Sequence, residues 1–264
     1  MQSGLIVYSK ADKNKNSWFI NKCIENLANK GVSLVYLDED EVLDYLKNHT
    51  VDFVIYRARD YRLLVELENK GIKCFNNSIT NKIANDKYLT YQFFSKYKIR
   101  CIPSFLSIEQ IDNYPAVMKS VNGHGGSEVF LLKTKEDAQL YEKPNQTYIY
   151  QRFYKNDGDL RLYVLNKRVI GAVFRKSNSD FRSNFSLGGQ VESYEPEKEL
   201  IDTAGKIAEL LNADYIGVDF LKVGNDWLIN EIEDPVGARM LYKASGIDAA
   251  TLLTDYIFES LNNK

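Results

Sequence analysis

The sequence is poor in the residues that carry covalent and thiol catalysis. Its 264 residues include three cysteines and two histidines. Cys23, Cys74 and Cys101 form no close pair, which favours reduced thiols in a cytoplasmic protein over a disulfide framework. A catalytic thiol needs a neighbouring base. With His49 and His124 as the only imidazoles, a thiol mechanism is disfavoured.

Two further absences exclude classes of partner. Lys and Arg number 34 against 36 Asp and Glu, a formal net charge of −2, so the chain lacks the positive excess that non-specific nucleic-acid binding requires. No apolar run approaches the roughly 18 residues of a membrane span. The short apolar run at 5–8 follows no basic leader, so we expect neither a membrane protein nor a signal peptide. The composition does not specify an oligomeric state.

The first eighty residues alternate between strand and helix patterns. Four short apolar runs are predicted as strands, at residues 5–8, 32–37, 53–56 and 72–75. Helical patterns lie between them, and this alternation is typical of a parallel sheet covered on both faces. We expect the first helix to begin at Ser17. The glycine-rich dinucleotide fingerprint is missing after the first strand, so we interpret this segment as a scaffold and a wall for substrate. Arg57 and Arg59, just past the third strand, could reach a cleft, but we expect each of them in a solvated loop.

A glycine-rich loop joins two predicted strands near the middle of the chain. The residues VNGHGGS at 121–127 hold three glycines, and Lys119 precedes them on the strand. Glycine lets backbone N–H groups approach an anion closely, so this pattern fits a phosphate cradle, and it equally fits a mobile turn. His124 is more typical of a loop tip than of a catalytic acid or base.

A second pair of predicted strands delivers acidic residues at strand ends. Residues 215–222 and 227–232 are separated by a tight turn, so they should pair antiparallel. This pairing would bring Asp219 and Glu231 to facing or neighbouring positions, with Glu233 just beyond. Converging carboxylates repel one another unless a cation lies among them, and hard oxygen ligands suit Mg²⁺ or Mn²⁺. The alternative is a hairpin with two solvated acids.

Charged residues also stand at the ends of another predicted hairpin. An aromatic strand at 148–153 leads into it, and Asp159, Arg161 and Arg175 lie at its strand ends. Guanidinium groups match phosphoryl oxygens, so the arginines fit a phosphate clamp. The alternative is that Asp159 pairs with one of them on the sheet surface. The loop SDFRSNFSLGG at 179–189 is too polar for a core and is typical of a binding loop.

The order of these segments resembles a known family. It runs from the Lys119 strand through the glycine loop, the strand ending QRF, then DLR, DFRSN with GG, and GVDF, to the strand ending NEIEDPVG. This order is similar to that of the ATP-grasp superfamily, and within it the RimK-like carboxylate–amine ligases, over nearly the whole chain. The resemblance implies an α/β fold. A small Rossmann-like N-terminal domain at 1–80 would precede a two-lobed ATP-grasp domain of α+β lobes at 81–150 and 151–264.

The resemblance also implies roles for the residues that match the family pattern. Asp219 and Glu231 match the two metal carboxylates. Glu233 stands where the family usually has Asn, so a third ligand here would be a glutamate that cannot donate a hydrogen bond. Arg175 matches an arginine near the site of phosphoryl transfer, and with Arg161 it forms the catalytic pair. The positions expected to contact ATP are Lys87, Lys119, Arg152, Phe153, Asp159, Arg182, Ser183 and Asn184.

The function implied by the resemblance is the ATP-dependent joining of a carboxylate to an amine. The γ-phosphate of ATP would pass to the carboxylate, and the amine of an amino acid, peptide or small acid would attack the acylphosphate. By resemblance the added group would be glutamate or another amino acid, and the metal would be Mg²⁺ or Mn²⁺. Two alternatives stay open. One is a nucleotide-binding regulatory protein without turnover, which the Glu233 departure favours. The other is a kinase that uses the same site.

Overall fold

A computed structural model of the chain shows three β-sheets with helices packed against them, and it describes residues 2–126, 128–156, 158–176 and 190–263. The sheets have four, three and five strands, in the order in which the chain enters them. None of the described helices is both long and apolar enough to cross a membrane.

The first sheet is parallel. Its elements, with the helices between them, are β1 Ser3–Tyr8, α1 Lys10–Ala28, β2 Ser33–Asp38, α2 Val42–Tyr45, β3 Phe53–Tyr56, α3 Tyr61–Asn69 and β4 Lys73–Phe75. The strands lie in the order β2-β1-β3-β4, and each neighbouring pair is parallel. Every residue of β3 is buried, as expected for a strand that is covered on both faces. The predicted parallel sheet is confirmed.

The start of α1 was predicted wrongly, because the helix begins at Lys10 and not at Ser17. Its buried residues begin only at Phe19, so apolar spacing cannot detect the turns before it. Those turns are polar because one side of them faces a cleft, where Asp12 and Lys15 form part of the lining.

The second sheet is a small antiparallel one. Its three strands, and the two α-helices that precede them, are α4 Ser78–Ala84, α5 Lys87–Lys96, β5 Ala116–Ser120, β6 Val129–Leu132 and β7 Tyr148–Arg152. The order is β6-β5-β7, with the glycine loop joining β5 to β6. This sheet has a hydrophobic core of its own, which includes Met118, Leu132 and Tyr150. Lys119 lies on the central strand of this sheet.

The third sheet is the largest, and all of its neighbouring strands are antiparallel. Its elements, with the helices around it, are β8 Asp159–Leu165, β9 Arg168–Lys176, β10 Gln190–Ser193, α6 Lys198–Leu211, β11 Tyr215–Val223, β12 Asp226–Glu233, α7 Arg239–Ser245 and α8 Ala249–Asn262. The strand order is β10-β9-β8-β11-β12. Side chains alternate between the faces of a strand. One face therefore carries Leu162 and Val164 into a core with α5 and α6, and the other carries Arg161 and Tyr163.

The mixed α/β architecture predicted from the sequence is confirmed, with a parallel sheet first and antiparallel sheets after it. The domain boundaries after residues 80 and 150 stay a prediction, and packing crosses both of them. Phe93 and Phe94 of α5 pack with the third sheet, and Leu253 of α8 shares a core with Phe19 of α1.

A buried amide network ties the end of β4 to the segment that follows β12. The Asn76 Nδ2 atom donates to the Tyr215 carbonyl at 2.7 Å and to the Asp234 carboxylate at 2.9 Å. Its Oδ1 atom accepts from the backbone N–H groups of Asp214 and Tyr215. Asn81 donates to the second oxygen of Asp234 at 2.9 Å. Both oxygens of a buried carboxylate are thus satisfied by amides, which fixes the chain just after Glu233.

We expect Asn76→Ala to lower the free energy of unfolding by about 3 kcal/mol or more, because a buried carboxylate oxygen and three backbone groups lose their partner. Urea denaturation followed by circular dichroism would measure the change, provided that the m-value is preserved. The matched control is Asn48→Ala, since Asn48 is exposed. A loss in Asn76→Ala no larger than in this control would show that the network does not stabilise the fold.

Candidate active site

A cleft of about 560 Å³ is lined by residues from all three sheets. Nine residues predicted for the site lie on its walls: Lys87, Lys119, Arg152, Phe153, Asp159, Arg161, Arg175, Glu231 and Glu233. Asp219 is fully buried beneath them. Arg182, Ser183 and Asn184 lie outside the described residues.

The acidic residues of the cleft come from the hairpin of β11 and β12. Asp219 faces Glu231 directly in the register, and oxygen atoms of Asp219, Glu231 and Glu233 all lie within 4.8 Å of one another. The register shifts immediately after Asp219, because Phe220 pairs with Ile229 and Asn230 is left over as a bulge. A bulge can re-aim a side chain, and here Asn230 and Glu231 both line the cleft although they are adjacent in sequence.

Two buried arginines bind these acids from neighbouring strands. Arg161 contacts both oxygens of Asp219 at 2.7 and 2.6 Å and also Glu233 at 2.6 Å. Arg175 contacts both oxygens of Asp159 at 2.6 Å and one oxygen of Asp219 at 2.7 Å. The alternative that Asp159 pairs with one of the two arginines is correct for the pairing, since Asp159 binds Arg175. The pair is buried in the cleft wall, however, and does not lie on the sheet surface.

The arginines determine the charge of the acids that they bind. Burial alone would raise the pKa of Asp219, but Arg161 and Arg175 lower that pKa to about 2. Burial raises the pKa of Asp159, and the contact with Arg175 limits the rise to about 6. The paired contacts with arginine favour the ionised form of both carboxylates. Burial also raises the pKa of Glu233, against the effect of Arg161.

The three acids of the hairpin offer a donor set that fits a divalent cation with a preference for oxygen. Each carboxylate oxygen has two acceptor positions. In Asp219, Oδ2 accepts two arginine bonds and Oδ1 accepts one, so Oδ1 retains a position. Glu233 accepts one bond from Arg161, and Glu231 accepts none from the part of the chain that is described. Such oxygen atoms suit Mg²⁺, with Glu231 as the ligand that is least engaged elsewhere.

Lys119 reaches the same cleft from the second sheet. Its Nζ atom donates to Asn230 Oδ1 at 2.8 Å, and burial lowers its pKa to about 8. Asn230 was not predicted as a site residue. In a regular strand, the side chains of Asn230 and Glu231 would point to opposite faces of the sheet. Only the bulge in β12 brings both side chains to the cleft.

The glycine loop is held against the start of α5. Lys87 donates its backbone N–H to Val121 and its Nζ to the carbonyl of Gly123. Gly125 and Gly126 have φ values of +64° and +76°, a left-handed conformation that glycine adopts without steric cost. Lys87 and the loop thus form one wall of the cleft.

The end of β7 forms another wall of the cleft. The side chain of Arg152 is half exposed and bonded to Asp112 at 2.5 Å, so its backbone is the part available to a ligand. Phe153 donates its N–H to Pro115 at 3.4 Å. Both residues line the cleft, as the family resemblance implies.

The prediction for the two arginines after β3 was wrong. Both line the cleft, and Arg57 is only 4% exposed. Arg59 is bonded to Asp12 at 2.6 Å. Neither residue stands in a solvated loop, because Arg57 donates to the carbonyl of Val236 and Arg59 donates to Asp12 in the first turn of α1.

This combination of sheets around a cleft is the ATP-grasp fold. The D-alanine–D-alanine ligase from Bacillus anthracis, solved in complex with ATP, matches 98% of this chain and 96% of its own with a TM-score of 0.77 and 17% identity. The ATP-grasp ligase PsnB, solved with a minimal precursor, Mg and ADP, matches 97% of both chains with a TM-score of 0.70 and 14% identity. These likenesses establish the fold.

The sequence comparison defines the family. The model of the RimK-like ATP-grasp domain matches residues 84–257, and the chain belongs to this family of ATP-dependent ligases that form C–N bonds. Uncharacterized protein MG011 of Mycoplasma genitalium is 30% identical over 250 residues, which are 91% of this chain and 86% of that protein. A probable alpha-L-glutamate ligase of Haemophilus influenzae is 28% identical over 210 residues, 74% of this chain and 70% of that protein. The predicted superfamily and family are confirmed.

Proposed function

We propose that the protein activates a substrate carboxylate as an acylphosphate and then transfers the acyl group to an amine. A carboxylate oxygen would attack the γ-phosphorus of ATP, and ADP would leave. The amine nitrogen would next attack the acyl carbon, phosphate would leave, and the amine would lose a proton as the amide forms. The observation that carries this proposal is the convergence of Lys119, the glycine loop and three carboxylates on one cleft.

The nucleotide would lie between the second and third sheets. Lys87, Lys119 and the glycine loop line the cleft, and the two lysines and the loop backbone would bind phosphate oxygens. The backbone around Arg152 and Phe153 would face the adenine, and Asp159 would contact the nucleotide from β8. The segment Arg182, Ser183 and Asn184 is assigned to the nucleotide by family resemblance.

Glu231, Asp219 and Glu233 would hold Mg²⁺, and Mn²⁺ would suit the same oxygen ligands. When bound, the metal supplies positive charge to the phosphate oxygens. Arg161 and Arg175, which bind Asp219, favour its ionised form and would contribute positive charge near the transferred phosphoryl group. Fixed charges of this kind stabilise the transition state without reorganisation at the moment of transfer.

Glu233 does not argue for a protein without turnover. Its position differs from the usual family Asn, but Arg161, which it shares with Asp219, binds its carboxylate at 2.6 Å and offsets part of its charge. Because relatives are named as probable alpha-L-glutamate ligases, we take glutamate as the first amino acid to test as a substrate.

We propose the cytoplasm as the compartment of the protein, because the free thiols of its three cysteines are compatible with a reducing environment.

The function is tested by ADP release from ATP and Mg²⁺ in the presence of amino acids and short acidic peptides. Mass spectrometry of the same mixtures should reveal a new amide. A phosphorylated product without an amide would indicate a kinase. Binding of ATP with Mg²⁺, but no ADP above background in any mixture, would contradict ligation and favour a regulatory protein.

A further inference from the structure

Asn230 joins the third sheet to the second through a hydrogen bond with Lys119. Lys119 lies on the central strand of the second sheet, Asn230 lies on β12 of the third, and both line the cleft. The Lys119 Nζ atom donates to Asn230 Oδ1 at 2.8 Å. Because an ammonium can only donate, the amide must present its oxygen to it, which fixes the orientation of the Asn230 side chain.

The backbone on either side of Asn230 is held in place. Ile229 pairs with β11, and on the side away from β11 its carbonyl accepts from the N–H of Ile102 at 3.0 Å. Glu231, the next residue, pairs with Asp219. The bulge residue thus stands between two paired residues. Its side chain therefore enters the cleft from a fixed point of the third sheet.

The cations of the cleft have two kinds of partner. The arginines of β8 and β9 bind carboxylates, so their charge is offset within the protein. The two lysines assigned to phosphate bind neutral oxygens instead, since Lys87 donates to the carbonyl of Gly123 and Lys119 donates to the amide of Asn230. A neutral acceptor orients an ammonium without cancelling its charge, so that charge remains available to an anion.

Glu231 is the acid that competes with Asn230 for Lys119. Burial lowers the pKa of Lys119 to about 8, and among the neighbouring charges Glu231 opposes this effect the most. Glu231 accepts no hydrogen bond from the described residues, and it is the proposed metal ligand that is least engaged elsewhere. An ion pair between Lys119 and Glu231 would occupy a phosphate donor and a metal ligand at the same time. The hydrogen bond to Asn230 opposes the formation of that pair.

We propose that Asn230 is a positioning residue for Lys119, which holds the ammonium toward the nucleotide and away from Glu231 without contacting the reacting atoms itself. An ammonium has three donors, so two remain for phosphate oxygens while the bond to Asn230 persists. This inference rests on the proposed function, in which Lys119 binds a phosphate of ATP.

The test is a double-mutant cycle between Asn230 and Lys119, measured as the affinity for ATP. A fluorescent ATP analogue is titrated at one fixed Mg²⁺ concentration into the wild-type protein, Asn230→Ala, Lys119→Met and the double variant. We expect Asn230→Ala to weaken binding by about fivefold or more when Lys119 is present, and by less than about twofold in the Lys119→Met background. A residue that only supports the strand would weaken binding equally in both backgrounds.

Asn225→Ala is the matched control, since Asn225 is exposed in the turn of the same hairpin. Its affinity for the analogue should equal that of the wild-type protein.

The outcomes separate the positioning role from the proposed function. If the wild-type protein does not bind the analogue, the nucleotide site is contradicted and the role of Asn230 is overturned with it. If the wild-type protein binds it, but Asn230→Ala has no effect or the same effect in both backgrounds, only the positioning role is overturned. If Asn230→Ala does not fold, Asn230→Leu takes its place in the cycle, because it keeps the size of the side chain and removes the acceptor.

Discussion

Replacing Glu231 by Gln is expected to lower Mg²⁺-dependent ADP release by at least about 100-fold while leaving the fold intact. Glu231 accepts no hydrogen bond from the described residues and forms no ion pair with them, so this substitution removes a charge without breaking a contact. Gln has nearly the same shape as Glu but binds a divalent cation less well, because it carries no charge. The loss should therefore appear in turnover and not in stability.

ADP release is measured over a range of Mg²⁺ concentrations, and unfolding by urea is followed in parallel. Asp226→Asn is the matched control, because Asp226 belongs to the same strand but is exposed and paired with Arg100. Its turnover should equal that of the wild-type protein. If Glu231→Gln also retains full turnover, Glu231 does not hold the metal.

Asp219 looks equivalent to Glu231 in the sequence, but the structure separates them. Asp219 is fully buried and binds both Arg161 and Arg175. Removing one member of a buried ionic cluster leaves the others uncompensated, at a cost of about 3–5 kcal/mol. Loss of activity in Asp219→Ala would therefore mix unfolding with loss of the metal, and Glu231→Gln is the cleaner test.

The elements that could be predicted are those set by local pattern. The alternation of apolar runs with helical spacing was sufficient for the first sheet. The tight turn at 223–226 was sufficient to predict that the strands of Asp219 and Glu231 pair antiparallel, although the bulge at Asn230 determines that these two residues face each other. These signals span a few residues, and period and turn chemistry determine them directly.

The features that the sequence did not reveal depend on distant parts of the chain. Arg57 is buried among residues that are distant in sequence, such as Val236, which lies 179 residues away, and no local pattern contains that contact. The bulge that brings Asn230 to Lys119 is invisible to an alternating pattern. The early turns of α1 are polar because they line the cleft, and a polar face is indistinguishable from a solvated one in a single sequence. At these positions the cleft, and not packing of the hydrophobic core, determines which residue type is present.

Replacing Lys119 by Met is expected to weaken the binding of ATP by about 10- to 100-fold, the effect of losing one charge-assisted hydrogen bond to a phosphate. The side chain is desolvated, and among the described residues its hydrogen-bond partner is Asn230. Met keeps the volume without the charge, so the fold should be retained. Titration with a fluorescent ATP analogue measures the affinity. Lys133→Met is the matched control, since Lys133 is exposed just beyond β6 on the same sheet.

The pH dependence of this affinity separates a phosphate contact from a merely structural lysine. Burial lowers the pKa of Lys119 to about 8 in the free protein, and a neighbouring phosphate would raise it by stabilising the ammonium. Binding then takes up a proton above about pH 8, so affinity should fall as pH rises through that value, by up to about tenfold per pH unit. In Lys119→Met this slope should vanish. An unaltered affinity in the variant, or the same slope in both proteins, would show that Lys119 does not bind the nucleotide.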